Sequence, residues 1–180
     1  DTTITITSTR NKSLTKTVTV HVINPKIETD TYVINRDNEG YEYITGMELG
    51  ITVEEFLNNL KNAKEDLFVY ESTETDVVSE EEIVKTKYVV KLIINDNVYD
   101  QLTLVLKGDV NGDGISNIVD ISLIKNYISN KRDFNIYELA ASNINMDNYT
   151  NVADISKIKN YISNKITSLN IDLYKVEENK

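Results

Sequence analysis

The chain has 180 residues, a net charge of −10 and no cysteine. That length leaves room for one domain or two small ones. The acidity argues against nucleic acid or an anionic membrane as partner, and the lack of cysteine excludes disulfides and thiolate chemistry. No signal peptide and no apolar run long enough to cross a membrane is present, which excludes membrane insertion. The chain opens on Asp1 inside a strand-like pattern, as expected of the C-terminal piece of a longer exported protein whose export signal and catalytic domain lie upstream. Acid is unevenly spread: Glu71, Glu74, Asp76, Glu80, Glu81 and Glu82 crowd one stretch that reads as a solvated loop.

The N-terminal stretch TTITITSTRNKSLTKTVTVHVIN alternates Thr, Ile and Val with period two on either side of a polar turn at 11–13, which predicts a β-hairpin. A lone hairpin is marginal in water, so this one needs a partner surface. It resembles the last two strands of a bacterial immunoglobulin-like domain; packing on the next module is the alternative.

Pro25 punctuates, and a second unit runs over 26–107. TYVINRDNEGYEYIT predicts a hairpin with its turn at 36–40. Thr52 and Glu55 form a capping box ahead of a helix whose Val53, Phe56, Leu57 and Leu60 share one face. LFVY and YVVKLII read as strands, and 95–97 turns the chain into a further strand, QLTLVLKG. Strands flanking one packed helix predict a small α+β module. The run YITGMELGITVEEFLNNL leading to VLKGDVNGDG resembles the auxiliary X-like modules found ahead of dockerins, which act as spacers or stabilisers.

The chain then repeats itself. DVNGDGISNIVDISLIKNYISNK (109–131) returns as NINMDNYTNVADISKIKNYISNK (143–165), each an acidic loop running into an amphipathic helix. In the first loop Asp109, Asn111 and Asp113 stand at alternate positions, Gly114 follows, and Asp120 closes the loop at its twelfth position. This is the pattern of an EF-hand-type calcium loop. Calcium takes six to eight oxygen ligands, here the three acids, Asn111, the Ile115 carbonyl and Asn117 through a water. The second loop offers Asn143, Asn145, Asp147, the Tyr149 carbonyl, Asn151 through a water, and Asp154. Asn143 replaces an acid and Asn148 replaces the turn glycine, so the second site carries less charge and is expected to be the weaker. Ile121, Ile124 and Ile128 match Ile155, Ile158 and Ile162, and are expected to face each other as the core, with Tyr127 and Tyr161 at its edge.

The tandem GDVNGDG…D loops, the KNYISNK helices and the connector RDFNIYELAAS resemble a type I-like dockerin over 107–166. The resemblance implies two F-hand repeats, loop plus exiting helix, binding two calcium ions. It also implies a cohesin partner on a scaffold or another secreted enzyme, an extracellular or cell-surface location, and an upstream enzyme, a glycoside hydrolase in the commonest case. The fold class predicted is mixed: an immunoglobulin-like β-hairpin remnant (1–25), an α+β X-like module (26–107), an all-α dockerin (108–167) and a tail (168–180).

By the same resemblance, partner contacts fall on Ile118, Val119, Lys125, Asn126 and Asn130, and on Val152, Ala153, Lys159, Asn160 and Asn164. Ile118 and Val119 are apolar where a solvated helix start favours polar residues, as at an anchor of a small interface. Because the copies present nearly the same side chains, either face could dock, in two orientations about 180° apart. No catalytic motif is present: His21 sits in a predicted strand without a Cys or patterned carboxylate beside it, and Glu54-Glu55 belongs to the helix cap. A calcium-stabilised structural domain with no cohesin partner is the alternative reading.

Overall fold

The structure is a computed structural model and describes residues 2–20, 24–37 and 40–170. Strands β1 (Thr2–Thr7) and β2 (Thr15–Val20) pair antiparallel in a two-stranded sheet, Thr7 opposite Thr15. Asn11 shapes their turn: its Oδ1 accepts the Ser13 N–H at 3.1 Å, and its carbonyl accepts the Leu14 N–H at 3.0 Å. His21 lies outside the described residues.

A five-stranded sheet follows, made of β3 (Val33–Arg36), β4 (Glu42–Thr45), β5 (Leu67–Tyr70), β6 (Val89–Ile94) and β7 (Asn97–Val105). Their order is β3-β4-β7-β6-β5, antiparallel except for the parallel β4–β7 pair. The predicted turn between β3 and β4 falls partly on 38 and 39, outside the described residues. Between β6 and β7, Asn95 and Asp96 adopt φ of 49° and 62°, the left-handed pair that a tight hairpin requires and that Asn and Asp tolerate. Helix α1 (Val53–Leu57) carries the predicted capping box: Thr52 Oγ1 accepts the Glu55 N–H at 3.2 Å and Glu55 Oε2 accepts the Thr52 N–H at 3.0 Å. Its buried Val53, Phe56 and Leu57 pack with Ile44, Leu92, Leu102 and Leu104 of the sheet. The six acids of the central stretch are exposed, in keeping with a solvated loop.

One buried charge ties the sheet to its N-terminal approach. Asp100 on β7 is 4% exposed and takes hydrogen bonds from Arg36 at 2.5 and 3.1 Å, Lys26 at 3.0 Å and the Ile27 N–H at 2.8 Å. Burial alone would push its pKa up; the bonds from Arg36, the Ile27 N–H and Lys26 outweigh that and hold it below the ordinary carboxylate value. Such a group stabilises the fold above its unfolded pKa of about 3.9 and loses that contribution as pH falls through the lower folded value. Asp100→Ala leaves Arg36 with Glu42 as its one ion-pair partner among the described residues, and takes the acceptor from Lys26 and the Ile27 N–H; it is expected to cost about 2 kcal/mol, read from the urea midpoint at neutral pH. The loss should shrink as pH falls below about 4.

The C-terminal part corrects the predicted fold class. An all-α unit closing its own core is not what the chain forms. The described residues hold two sheets with seven strands and only four short α-helices, α1, α2 (Ile118–Ile128), α3 (Ile136–Ser142) and α4 (Val152–Ile162), the longest of 11 residues. The second core gathers Ile121 and Ile124 of α2, Ala141 of α3, and Ile155 and Ile158 of α4, but also Val105 of β7, with Tyr43 of β4 and Leu49 packed against it. The physical reason is size: a unit of about 60 residues is marginal by itself, and the sheet adds apolar surface to its core. Ile128 and Ile162, expected in that core, are 37% and 46% exposed. Each is the last residue of its helix, a turn beyond the buried pair. Tyr127 and Tyr161 do lie at the edge, partly buried against it.

Candidate metal centres and partner face

Both loops are built by the same backbone bonds. Asn117 caps α2, its Oδ1 accepting the Val119 N–H at 2.7 Å. Asp120, fully buried, gathers the loop inward: Oδ1 accepts the N–H groups of Val110 (2.9 Å) and Asn111 (3.1 Å), and Oδ2 that of Asn117 (2.9 Å). In the second copy Asp154 accepts the N–H groups of Ile144 (2.7 Å), Asn145 (3.2 Å) and Asn151 (2.8 Å), and Asn151 caps α4 through the Ala153 N–H. At the loop apex, Asn111 and Asn145 each accept an N–H from the aspartate two residues on and donate to its carboxylate, at 2.7 Å to Asp113 and 2.8 Å to Asp147. Asp113 and Asp147 in turn accept the N–H groups of Ile115 and Tyr149. The alternate Asp/Asn spacing thus produces a chain of side-chain-to-backbone turns of the same form in both loops.

The loops differ at their first residue. Asp109 is fully buried; its Oδ1 accepts the N–H groups of Gly112 (2.9 Å) and Asp113 (3.0 Å), and its Oδ2 that of Thr86 (2.8 Å). Burial pushes the pKa of Asp109 up against those bonds; it does the same at Asp120, where the charge of Asp109 adds to it. Two buried like charges therefore sit together, and among the described residues neither has an ion-pair partner. In the second loop Asn143 Oδ1 is buried with no hydrogen-bond partner. Asn148, at the expected glycine position, and Met146 hold left-handed φ of 69° and 61°. The corresponding first-loop residues, Gly112 and Gly114, meet the same demand without a side chain.

No group of three or more His, Cys, Asp or Glu side chains gathers for a metal among the described residues. A calcium loop does not need one, since amide and backbone carbonyl oxygens supply much of the shell. The unpartnered Asn143 oxygen and the uncompensated Asp109–Asp120 pair both fit a hard cation held by oxygen. Asp109, Asn111, Asp113, Asp120 and the Ile115 carbonyl would hold it in the first loop, and Asn143, Asn145, Asp147, Asp154 and the Tyr149 carbonyl in the second. Bound calcium would supply the positive charge that these acids otherwise lack.

The sequence reading missed what stands behind the first loop. Residues 83–86, which follow the acidic stretch, press on it: a Cβ at Gly114 would meet Ile83 Cδ1 at 2.7 Å, and one at Gly112 would meet the Thr86 carbonyl at 2.9 Å. The Thr86 N–H bond to Asp109 and the ion pair between Lys87 and buried Glu138 of α3 (2.8 Å) join the α+β part to the repeats. No local signal marks Thr86, which lies 23 residues from its partner. Leu169 and Asn170 also pack back, the latter donating to the Met47 carbonyl at 2.9 Å.

The predicted partner residues lie outward at the helix starts and along the helices. Ile118 is 71% and Val152 65% exposed; Val119, Ala153, Lys125, Lys159 and Asn126 are exposed, and Asn160 is half-buried. Tyr149, used above for its carbonyl, is 73% exposed, and Ile115 at the matching position of the first loop is 52% exposed. Asn130 and Asn164 have a backbone role too, ending α2 and α4 with φ of 54° and 55°. No described helix is long and apolar enough to cross a membrane.

No curated protein and no solved structure matches the chain significantly. A family model does: the dockerin type I domain matches residues 107–173, and no comparison supports the expected immunoglobulin-like and X-like resemblances of the residues before it. Domains of this family are non-catalytic, bind calcium and dock on cohesin domains, and the proteins that carry them are typically extracellular. With its paired acid-lined loops, each running into a matching helix, the C-terminal part of this chain is a dockerin type I module.

Proposed function

We propose that this module uses both calcium loops to hold α2 and α4 in place and presents either helix start to a cohesin, tethering a secreted enzyme, in the simplest case a glycoside hydrolase. The observation that carries the reading is the duplication of geometry. Asn117 and Asn151 have backbone angles of −146°/−165° and −147°/−166°, and the same capping box starts each helix. Each start therefore offers an apolar pair (Ile118 and Val119, or Val152 and Ala153) flanked by Lys125 and Asn126 or by Lys159 and Asn160. An apolar centre with a polar rim is the anatomy of a small, specific interface. The part before residue 107 serves as a buttress, for the first loop through Thr86 and for α3 through Lys87.

Titration of the chain against a panel of cohesin domains, with calcium and with chelator, tests this. Submicromolar binding to at least one cohesin, lost in chelator, is the expected result. A calcium-dependent melting temperature with no cohesin bound would instead assign a structural role.

A further inference from the structure

Lys107 stands between β7 and the first loop, yet its side chain serves the second. Its ammonium donates to the carbonyls of Ala140 at 2.7 Å and Asn143 at 2.8 Å, and the residue is only 5% exposed. Helix α3 carries no basic residue in its last turn, so this cation reaches its C-terminal carbonyls from outside the helix. Among the described residues no such cation faces Asp109 or Asp120.

We propose that Lys107 is the built-in cation of the second loop, bracing its first residue with or without calcium and weakening its hold on calcium. The inference rests on the reading that both loops bind the ion. The first loop brings the charges of Asp109, Asp113 and Asp120; the second brings Asp147 and Asp154, with the Lys107 ammonium bound to the carbonyl of its first residue, Asn143. Calcium affinity follows ligand charge, so an ammonium beside the shell lowers it. The same charge, fixed on the carbonyls of Ala140 and Asn143, does in the metal-free chain part of what calcium does in the first loop. The first loop thus relies on calcium alone for its positive charge, and the second on calcium and Lys107 together.

Terbium luminescence excited through Tyr149, which supplies a carbonyl of the second loop, tests this in the full chain. The part of the signal lost in Tyr149→Leu belongs to that loop, and competition by calcium gives its affinity. Lys107→Gln is expected to tighten that site about tenfold, while Lys107→Arg, which keeps the charge, stays near wild type. A folded Lys107→Gln chain with unchanged affinity overturns the proposal. Unfolding of Lys107→Gln without calcium and refolding with it supports it. If the Gln variant is unfolded even in calcium, Lys107→Met keeps the buried stem and replaces it; the same failure there overturns the proposal, because a filled site does not need the ammonium. Wild-type chain that binds no calcium at either loop sinks the underlying reading instead.

Discussion

Asp120→Ala is expected to unfold the C-terminal third in the absence of calcium and to remove most of the calcium response of what remains. The carboxylate accepts three backbone N–H groups, from Val110, Asn111 and Asn117. Alanine leaves those donors facing a buried space. A buried, hydrogen-bonded charge deleted in this way costs about 3–5 kcal/mol, a large share of a small domain's total stability. It also removes the proposed last ligand of the first loop, so calcium at a hundred times its dissociation constant no longer adds its roughly 2.7 kcal/mol there. Thermal unfolding of both chains, with calcium and with chelator, separates the two losses. Asp154→Ala should show a similar loss in chelator, since it breaks the equivalent bonds, but a smaller loss of calcium-dependent stabilisation. Equal calcium responses in wild type and Asp120→Ala would remove the first loop from the account.

The second large effect is on binding. Lys125→Glu alone is expected to weaken a cohesin complex by no more than about threefold if, as proposed, the chain turns by half a revolution and docks through the Lys159 copy. Lys125→Glu with Lys159→Glu leaves no unaltered face and is expected to abolish detectable binding, a change of over a thousandfold, about 4 kcal/mol. Both lysines are exposed and the variants should melt like wild type. Calorimetric titration reads the result. A full loss from the single change would mean that one face alone docks.

The loop-helix repeat was legible because its pattern is local. The alternate Asp and Asn residues and the closing acid Asp120 fall within twelve positions, and the repeat supplies its own control; the cap that Asn117 makes on α2 went unread. Strands were legible where Thr, Val and Ile alternate, and α1 where Thr52 and Glu55 cap it. The closure of the second core was not. Val105, Tyr43 and Leu49 reach it only because β4 and β7 lie side by side, a pairing that no short window of sequence contains. Ile128 and Ile162 fit the helical period but fall in the last turn, where periodicity still repeats and burial stops. Thr86 escaped for another reason: its contribution to Asp109 is a backbone N–H, and side-chain identity carries no record of that. Lys107 did leave a trace, a lysine next to an acidic loop, yet the sequence alone would pair it with the nearer acid rather than with the second repeat.

Amide hydrogen exchange on the wild-type chain, followed residue by residue with calcium and then in excess chelator, tests the central claim most directly. With calcium, the N–H groups of Val110, Asn111 and Asn117 should be protected. In chelator they are expected to exchange at least a hundredfold faster, as the buried Asp109 and Asp120 charges force the loop open, while Val90 and Leu102 in the sheet stay protected. Unchanged protection at those three amides once calcium has gone would contradict a module whose docking faces are held in place by the ion.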